Sequence, residues 1–203
     1  MLFSICSVSV SLTQKASLLC VDINKFCSPT RTSLQSGRWA YNLGTSSGII
    51  DNGHPANLPL SESTVADELA ELGYRNYAIG KWDCGMTTPS MTPTGRGYHH
   101  YVGYYNAAEE YFTHITGAYC GRGPSGAAYP CPSCPGLDFH NDTQDSDGKP
   151  VLRPLHDYTT YSTELYAQEA ARIIDSHASG QAKGPFYIYA AFQVNRAPIT
   201  AGI

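Results

Sequence analysis

The sequence predicts an α/β fold in which a mixed sheet is flanked by helices. Two helix-then-strand pairs support this prediction. Residues 61–72 have helical spacing and are followed by the short apolar run 74–82, and residues 161–177 are followed in the same way by 186–192. The chain has 203 residues, of which 42% are hydrophobic and 15% charged, so it is long enough for one domain with a core.

The first predicted element is a short helix over residues 26–38. Pro29 suits the first turn of a helix and Gly37 suits its C-terminal stop, which places Cys27 at the helix start. The following run, 40–59, is rich in Asn, Gly, Ser and Pro and shows no sustained period. It is therefore predicted to be a loop.

The second predicted helix leads directly into a strand. Ser61 is the expected N-cap, and the residues expected on the core face are Val65, Leu69 and Leu72. The run 74–82 is short, aromatic and partly alternating, as in a buried strand of a βαβ unit.

The remaining elements lie on both sides of a long irregular stretch. Residues 83–154 show little periodicity, so we expect at most short helices or hairpins there. The helix over 161–177 is expected to bury one side, formed by Leu165, Ala170, Ile173 and Ile174. The nearly uniform apolar run 186–192 is typical of a central strand covered on both faces.

Charge and hydropathy exclude some partners. Thirteen Lys and Arg against 17 Asp and Glu give a net charge of −4, which makes nucleic acid an unsuitable partner. Every apolar window is interrupted before the ~20 residues that a membrane span needs.

The N-terminal segment and the cysteines bear on the cellular compartment. Residues 1–20 are apolar, which fits a secretory leader, a strand or a poorly defined terminus. Seven cysteines and the glycosylation sequon at Asn141 favour a disulfide-forming compartment of the secretory pathway.

The chemically informative motif is Cys27-x-Pro29-x-Arg31, followed by Gly37-Arg38. It places a sulfur at a helix start beside two guanidinium groups. The helix N-terminus carries partial positive charge, and arginine offers a planar fork to a tetrahedral oxyanion, so the motif suits an anion site. The alternative is a buried structural cysteine beside two surface arginines.

A second motif supports the anion site. The chain has CSPTRTSLQSGR at 27–38 and GYRNYAIGKWD at 73–83, and these resemble the two signatures of the sulfatases, nearest to the arylsulfatase B group. The resemblance continues through 93–98, 111–114 and 161–198, and covers roughly residues 26–200. It implies an alkaline-phosphatase-like sulfatase N-terminal domain, truncated at both ends. We therefore expect an uncertain N-terminal segment at 1–25 and a partial sulfatase domain at 26–203.

The resemblance also implies a mechanism and its components. Cys27 would be oxidised to formylglycine by the formylglycine-generating enzyme, and one hydroxyl of its hydrate would attack the sulfur of a sulfate ester. Deprotonating the other hydroxyl would expel sulfate. Arg31 would hold the hydrate, and Lys81 would bind a sulfate oxygen. Ca²⁺, with Cys27 as formylglycine among its ligands, would polarise the ester. The substrate would be an aryl sulfate or a sulfated sugar, in a lysosomal or extracellular protein.

Two further positions complete the expected substrate site. His114 aligns with a segment that lines the cleft in the family, which makes it a candidate for substrate contact, but a solvated loop histidine is the interpretation we favour. Asp83 stands where the family has a histidine, and as a carboxylate it would repel sulfate. Arg196 stands where the leaving-group histidine belongs. It can bind the anion but cannot donate a proton at neutral pH.

These departures predict an impaired or inactive enzyme. Asp22 stands alone where the family has an aspartate pair, and the chain stops at Ile203 before the later metal ligands, so most calcium ligands are expected to be absent. The alternatives are a non-catalytic module that binds sulfate or a sulfated glycan, and a non-functional gene fragment.

The cysteines of the irregular stretch allow two interpretations. Cys131 and Cys134, together with Cys120 and Cys84, could form a zinc site, but a second pair at the required spacing is missing. We favour a disulfide from Cys120 to Cys131 or Cys134. The acidic residues of the same stretch are expected to form a solvated turn; they are Asp142, Asp145 and Asp147.

Overall fold

The protein is described by a computed structural model. It describes residues 4–9, 17–22, 26–50, 54–116, 119–122, 128–130, 136–157 and 159–193. Within 4–9, 17–22, 119–122 and 128–130 it describes the backbone alone.

Three helices and nine strands are present in the described part of the chain. The helices are α1 (Cys27–Ser36), α2 (Val65–Glu71) and α3 (Ser162–Ala178). The strands are β1 (Ser4–Ser9), β2 (Ser17–Asp22), β3 (Arg75–Lys81), β4 (His100–Tyr104), β5 (Tyr119–Arg122), β6 (Ala128–Pro130), β7 (His140–Gln144), β8 (Pro150–Val151) and β9 (Phe186–Ala191). Two short 3-10 turns lie between β3 and β4, at Pro89–Met91 and Pro93–Gly95.

Five strands form one mixed sheet in the order β8-β7-β4-β3-β9. β3 runs parallel to both β4 and β9, whereas β7 and β8 are antiparallel to their neighbours. The pairs β1–β2 and β5–β6 form separate two-stranded sheets. The predicted α/β class, a mixed sheet flanked by helices, is confirmed.

Alternate residues of β3 and β4 build a core on each face of the sheet, because successive side chains of a strand point to opposite faces. One core contains Ala78 and Tyr101 and is covered by Leu34 of α1 and Ala66 of α2. The other core is covered by α3 and contains Tyr77, Ile79, Val102, Tyr104, Phe139, Tyr166 and Ile173. The two predicted helix–strand pairs therefore meet in one sheet.

The carboxyl ends of the parallel strands are packed with no room for a side chain at two glycines. A Cβ on Gly103 would lie 2.0 Å from the carbonyl oxygen of Gly80, and a Cβ on Gly80 would lie 2.2 Å from that of Ala191. Gly80 also has φ of +86°, which side-chain-bearing residues rarely adopt. The carboxyl ends of β4, β3 and β9 consequently lie close to one another.

The second helix begins and packs differently from the prediction. Its N-cap is Thr64, not Ser61. The Thr64 hydroxyl accepts from the backbone N–H of Asp67, and the Asp67 carboxylate accepts from the backbone N–H of Thr64. This capping box satisfies two otherwise unpaired amides, so the helix starts three residues later than expected. Leu72 is 73% exposed, because the helix has ended before its third turn.

Two strand predictions also need correction. The irregular stretch 83–154 supplies β4, which lies inside the main sheet beside β3, so it contributes more than short peripheral pieces. The apolar run 186–192 forms β9, which is the edge strand of the described sheet rather than a central one, and Phe186 is partly exposed. A run of apolar residues predicts a buried strand, but Tyr189 is the only buried residue of β9, because the position of a strand in the sheet depends on distant segments.

The other elements follow the sequence closely. α1 ends at Gly37, whose φ is 68° and whose N–H donates to the Ser33 carbonyl, as in a left-handed helix stop. In α3 the buried residues include Tyr166 and Ile173. Ile174 is 49% exposed, so its predicted place on the core face is wrong. Within the apolar segment 1–20 the backbone forms β1 and the start of β2. No helix among the described residues is long and apolar enough to cross a membrane.

Candidate functional site

Three parallel strands end side by side on one edge of the sheet. In the strand register, Lys81 at the end of β3 is opposite Tyr104 of β4, and Gly80 is opposite Ala191 of β9. In open α/β sheets, ligands bind outside the carboxyl ends of the parallel strands. The residues that directly follow these strands therefore mark the place to look for a site.

Helix α1 reaches this edge with its N-terminal turn. Cys27 is the first residue of the helix and Arg31 follows one turn later on the same side. The helix is unusually polar for a buried element, with Ser28, Thr30 and Thr32 all fully or nearly fully buried. The Thr30 and Thr32 hydroxyls donate to backbone carbonyls one turn earlier, so their burial leaves those hydroxyls paired.

Arg31 connects helix α1 to strands β3 and β9. Its Nη1 donates to the carbonyl oxygen of Lys81 at 2.7 Å and to the Tyr189 hydroxyl of β9 at 2.9 Å. Burial opposes the charged guanidinium, but Tyr189 and Asp83 outweigh it and raise the pKa of Arg31 above its usual value. Burial raises the pKa of Tyr189 to about 12, with Arg31 acting in the opposite direction. The guanidinium is therefore fixed in place and permanently charged.

Lys81 and Asp83 form a buried ion pair beside this arginine. The Lys81 Nζ lies 3.1 Å from Asp83 Oδ2, and their side chains are 7% and 0% exposed. Ser28 of α1 donates its hydroxyl to Asp83 Oδ1 at 2.7 Å and accepts the backbone N–H of Ile50. The structure thus brings the segment of Arg31 into direct contact with the segment of Lys81, through Arg31 and the Lys81 carbonyl and through Ser28 and Asp83. Cys27 begins the same helix as Arg31, and the shared catalytic role of the three residues stays a prediction.

Arg38 lies away from this point. It follows the far end of α1, which is about 14 Å from Cys27 at 1.5 Å per residue, and it pairs there with Glu62 at 2.6 Å in an exposed ion pair. It does not contribute a second guanidinium to the anion site, so that part of the sequence interpretation is wrong. Arg196, predicted to bind substrate, lies outside the described residues, and the partner of Asp83 is Lys81.

His114 lies in a second buried cluster near the same edge. It is fully buried, stacks on Phe139 with ring centroids 4.2 Å apart, and places Nδ1 2.9 Å from Glu109 Oε1. The Tyr166 hydroxyl of α3 donates to the other Glu109 oxygen at 3.3 Å. Burial raises the pKa of Glu109 to about 7, although the hydrogen bond from His114 acts against it. His114 is thus packed in the core, so the solvated-loop interpretation is wrong. Its substrate contact stays a prediction.

Gln193 connects this cluster to the end of β9. Its side-chain amide donates to the Glu109 carbonyl and accepts from the Ser162 hydroxyl of α3, and its own carbonyl accepts from Tyr111. No local pattern in the sequence marks Glu109, Tyr189 or Ser28 as site residues, because each has a partner 55 to 158 residues away.

The described side chains do not fit a calcium site. Calcium needs six to eight oxygen ligands, and the carboxylate nearest the signature helix, Asp83, is already held by Lys81 and Ser28. No group of three His, Cys, Asp or Glu side chains that could hold a metal is present in the part of the chain with described side chains. Asp22, at the end of β2, lies outside that part. The calcium expectation therefore stays a prediction.

The remaining sequence-based sites have different outcomes. Cys84 is a free thiol in the core, and burial together with Asp83 raises the pKa of its thiol well above the usual value, which makes it a poor zinc ligand. The proposed disulfide partners lie outside the described side chains; they are Cys120, Cys131 and Cys134.

The predicted acidic turn is partly confirmed. Asp145 and Asp147 form the expected exposed turn, but Asp142 is buried and accepts a hydrogen bond from the Tyr105 hydroxyl. The sequon residue Asn141 lies in β7, bonded to His100.

Comparison with known proteins identifies the family. The sulfatase family model matches residues 24–201, almost the whole chain. The chain belongs to the sulfatase family. This sulfatase chain is 28% identical over 182 residues to mouse arylsulfatase J, covering 88% of this chain and 26% of the relative. It is 31% identical over 187 residues to arylsulfatase G of the dog Canis lupus familiaris, covering 86% of this chain and 32% of the relative.

The solved structures agree on the fold. The crystal structure of PsFucS1 sulfatase from Pseudoalteromonas sp. superposes with a TM-score of 0.60 at 16% identity, covering 85% of this chain and 35% of that one. The predicted alkaline-phosphatase-like fold is thereby confirmed. This sulfatase chain spans about a quarter to a third of the length of the relatives it matches, so the activity of the whole protein is a matter of proposal.

Proposed function

We propose that this chain is an arylsulfatase-type sulfuric ester hydrolase domain in which Cys27, as formylglycine, is the nucleophile. The observation that carries the proposal is the Arg31 guanidinium, which bonds the backbone at Lys81 and the Tyr189 hydroxyl. Through it, the two signature segments meet at the carboxyl edge of the sheet, beside a helix N-terminus that favours anions.

The formylglycine hydrate would supply a hydroxyl that attacks sulfur and a second hydroxyl whose deprotonation releases sulfate. Arg31 would hold the oxygens at residue 27, because both residues lie on the same side of α1 one turn apart. Lys81 would bind a sulfate oxygen and offset the charge that develops as the ester bond breaks. The substrate would be an aryl sulfate or a sulfated sugar.

The same site supports the proposal that turnover is impaired. Lys81 already has Asp83 as its ion partner, so its ammonium is less available to a sulfate oxygen. The formylglycine-generating enzyme would be a required partner, because it reads Cys27, Pro29 and Arg31. A location in the secretory pathway, lysosomal or extracellular, is supported by the seven cysteines and the sequon at Asn141.

The test is expression in a host that contains the modifying enzyme, followed by an aryl sulfate assay. Cys27→Ser is the matched control, because serine keeps the size and the hydrogen bonding but is not converted by a modifying enzyme that oxidises cysteine. We expect slow turnover by the wild type and none by Cys27→Ser. Turnover that is equal in both proteins would contradict a nucleophile at residue 27.

A non-catalytic sulfate-binding module is the second candidate, and the Arg31 and Lys81 cations at one edge favour it. Calorimetric titration with sodium sulfate and the turnover assay separate the two functions. Binding without product supports the module, and product supports the hydrolase. Aggregation on expression would instead indicate a non-functional fragment, because β9 is an apolar strand at the edge of the described sheet.

A further inference from the structure

Asp83 is held by two contacts of its carboxylate and one of its backbone. Ser28 donates to its Oδ1 at 2.7 Å, the Lys81 ammonium lies 3.1 Å from its Oδ2, and its own N–H donates to the Tyr105 carbonyl at 2.9 Å. The residue has φ of 55°, a backbone conformation that aspartate, asparagine and glycine adopt more readily than other residues. The carboxylate is fully buried, so it cannot turn away into solvent.

This arrangement changes the charge that the site presents to an anion. Arg31 and Lys81 are cations, and Asp83 is the carboxylate that contacts Lys81 in the described part of the site. A sulfate group bound to Lys81 would lie within a few ångströms of that carboxylate. At such distances inside a protein, two like charges repel strongly, because little water separates them.

We propose that Asp83 is a built-in counter-ion that occupies the Lys81 ammonium and lowers the affinity of this site for a sulfate group. The inference rests on the proposed function, since it takes Lys81 as the sulfate-binding cation. Asp83 would be a specificity-determining residue that acts through Lys81. It needs no contact with the reacting atoms.

The test is isothermal titration calorimetry with sodium sulfate, at constant ionic strength, on the full chain. Asp83→Asn removes the charge and keeps an oxygen for the Ser28 hydroxyl, and Asp83→Gly suits the left-handed backbone. Each should bind sulfate on the order of tenfold more tightly than the wild type, because one negative charge beside Lys81 is gone. Asp147→Asn, an equal change of net charge in an exposed turn, should leave the sulfate affinity unchanged.

A double variant makes the test independent of the folding of the single variants. Lys81→Met with Asp83→Asn removes both members of the pair, so neither charge is left buried alone. The wild type should bind sulfate no more tightly than this double variant. A wild type that binds more tightly than the double variant, or as tightly as Asp83→Asn and Asp83→Gly, would overturn the inference.

These outcomes are distinct from failure of the proposed function. The titration needs no formylglycine and no turnover. If the uncharged variants gain sulfate affinity and Cys27 shows no catalytic role, the hydrolase proposal fails while the counter-ion inference stands. If the wild type turns over substrate and the Asp83 variants gain no affinity, the hydrolase proposal stands and the counter-ion inference fails.

Discussion

Two buried carboxylates lie on the two sides of the sheet, and they are balanced in different ways. Asp83, beside α1, contacts the lysine ammonium of Lys81 at 3.1 Å. Glu109, beside α3, contacts the His114 ring at 2.9 Å and the Tyr166 hydroxyl. Burial raises the pKa of Glu109 to about 7, although its hydrogen bond with His114 acts against this shift. The Glu109 cluster is therefore sensitive to pH near neutrality.

The largest expected effect comes from leaving Asp83 without its cation. Lys81→Met should lower the free energy of unfolding by about 3–5 kcal/mol, because an unpaired carboxylate is costly in a buried position. Urea unfolding at neutral pH measures this loss. The double variant Lys81→Met/Asp83→Asn is the control and should recover most of the stability. A double variant as unstable as Lys81→Met would show that lost packing, not charge, is the cause.

The second prediction concerns the pH dependence of Glu109. Burial raises its pKa in the folded chain to about 7, above the unfolded value of ~4.3. The folded state therefore favours the protonated form, and this contribution is complete below pH ~4.3 and is lost as the pH rises through 7. Between these limits the wild type should lose about 2–3 kcal/mol of unfolding free energy that Glu109→Gln does not lose.

Urea titrations of both proteins across this pH range give the difference. Glu110→Gln is the matched control. Although slight burial opposes it, hydrogen bonds from Thr113 and Phe112 lower the pKa of the neighbouring Glu110. Its contribution is therefore present at neutral pH and is lost as the pH falls through its folded pKa. Equal pH profiles for the wild type and Glu109→Gln would contradict the assignment to Glu109.

The third prediction compares the tyrosines that serve the two carboxylate regions. Tyr189→Phe removes a hydrogen bond to Arg31, and Tyr166→Phe removes one to Glu109. Each should cost about 0.5–1.5 kcal/mol of unfolding free energy. Only Tyr166→Phe should move the pH profile, because its hydroxyl favours the ionised form of Glu109 and arginine does not titrate. A changed pH profile of stability in Tyr189→Phe would contradict the prediction that only the Glu109 region is sensitive to pH.

The smallest effect is expected at the exposed pair Arg38–Glu62, which serves as the reference for both buried pairs. The two side chains meet at 2.6 Å, but that of Arg38 is 52% exposed. Solvent and salt screen such a pair, and its atoms lose little hydration on folding. Arg38→Ala should therefore leave the urea midpoint unchanged within error. A clear loss of stability would show that burial is not what separates the strong pairs from the weak one.

The sequence by itself determined the local features of the site. Pro29 and Gly37 set the limits of α1, and helical spacing places Arg31 one turn after Cys27, because these depend on neighbours in the chain. The motif at 73–83 likewise fixed β3, with Lys81 at its end. The family followed from these two segments, because their residue types and order are specific.

Only the tertiary structure decided the charge partners and the strand order. The fold turns Asp83 toward Lys81, two residues earlier, through a left-handed backbone that no local pattern predicts. Thr64 replaced Ser61 as the cap because its carboxylate partner is Asp67. The neighbours of β4 and β9, and the burial of Glu109 with His114, depend on residues far apart in sequence. These contacts are set by packing between distant segments, and local propensity cannot predict them because it depends on neighbouring residues alone.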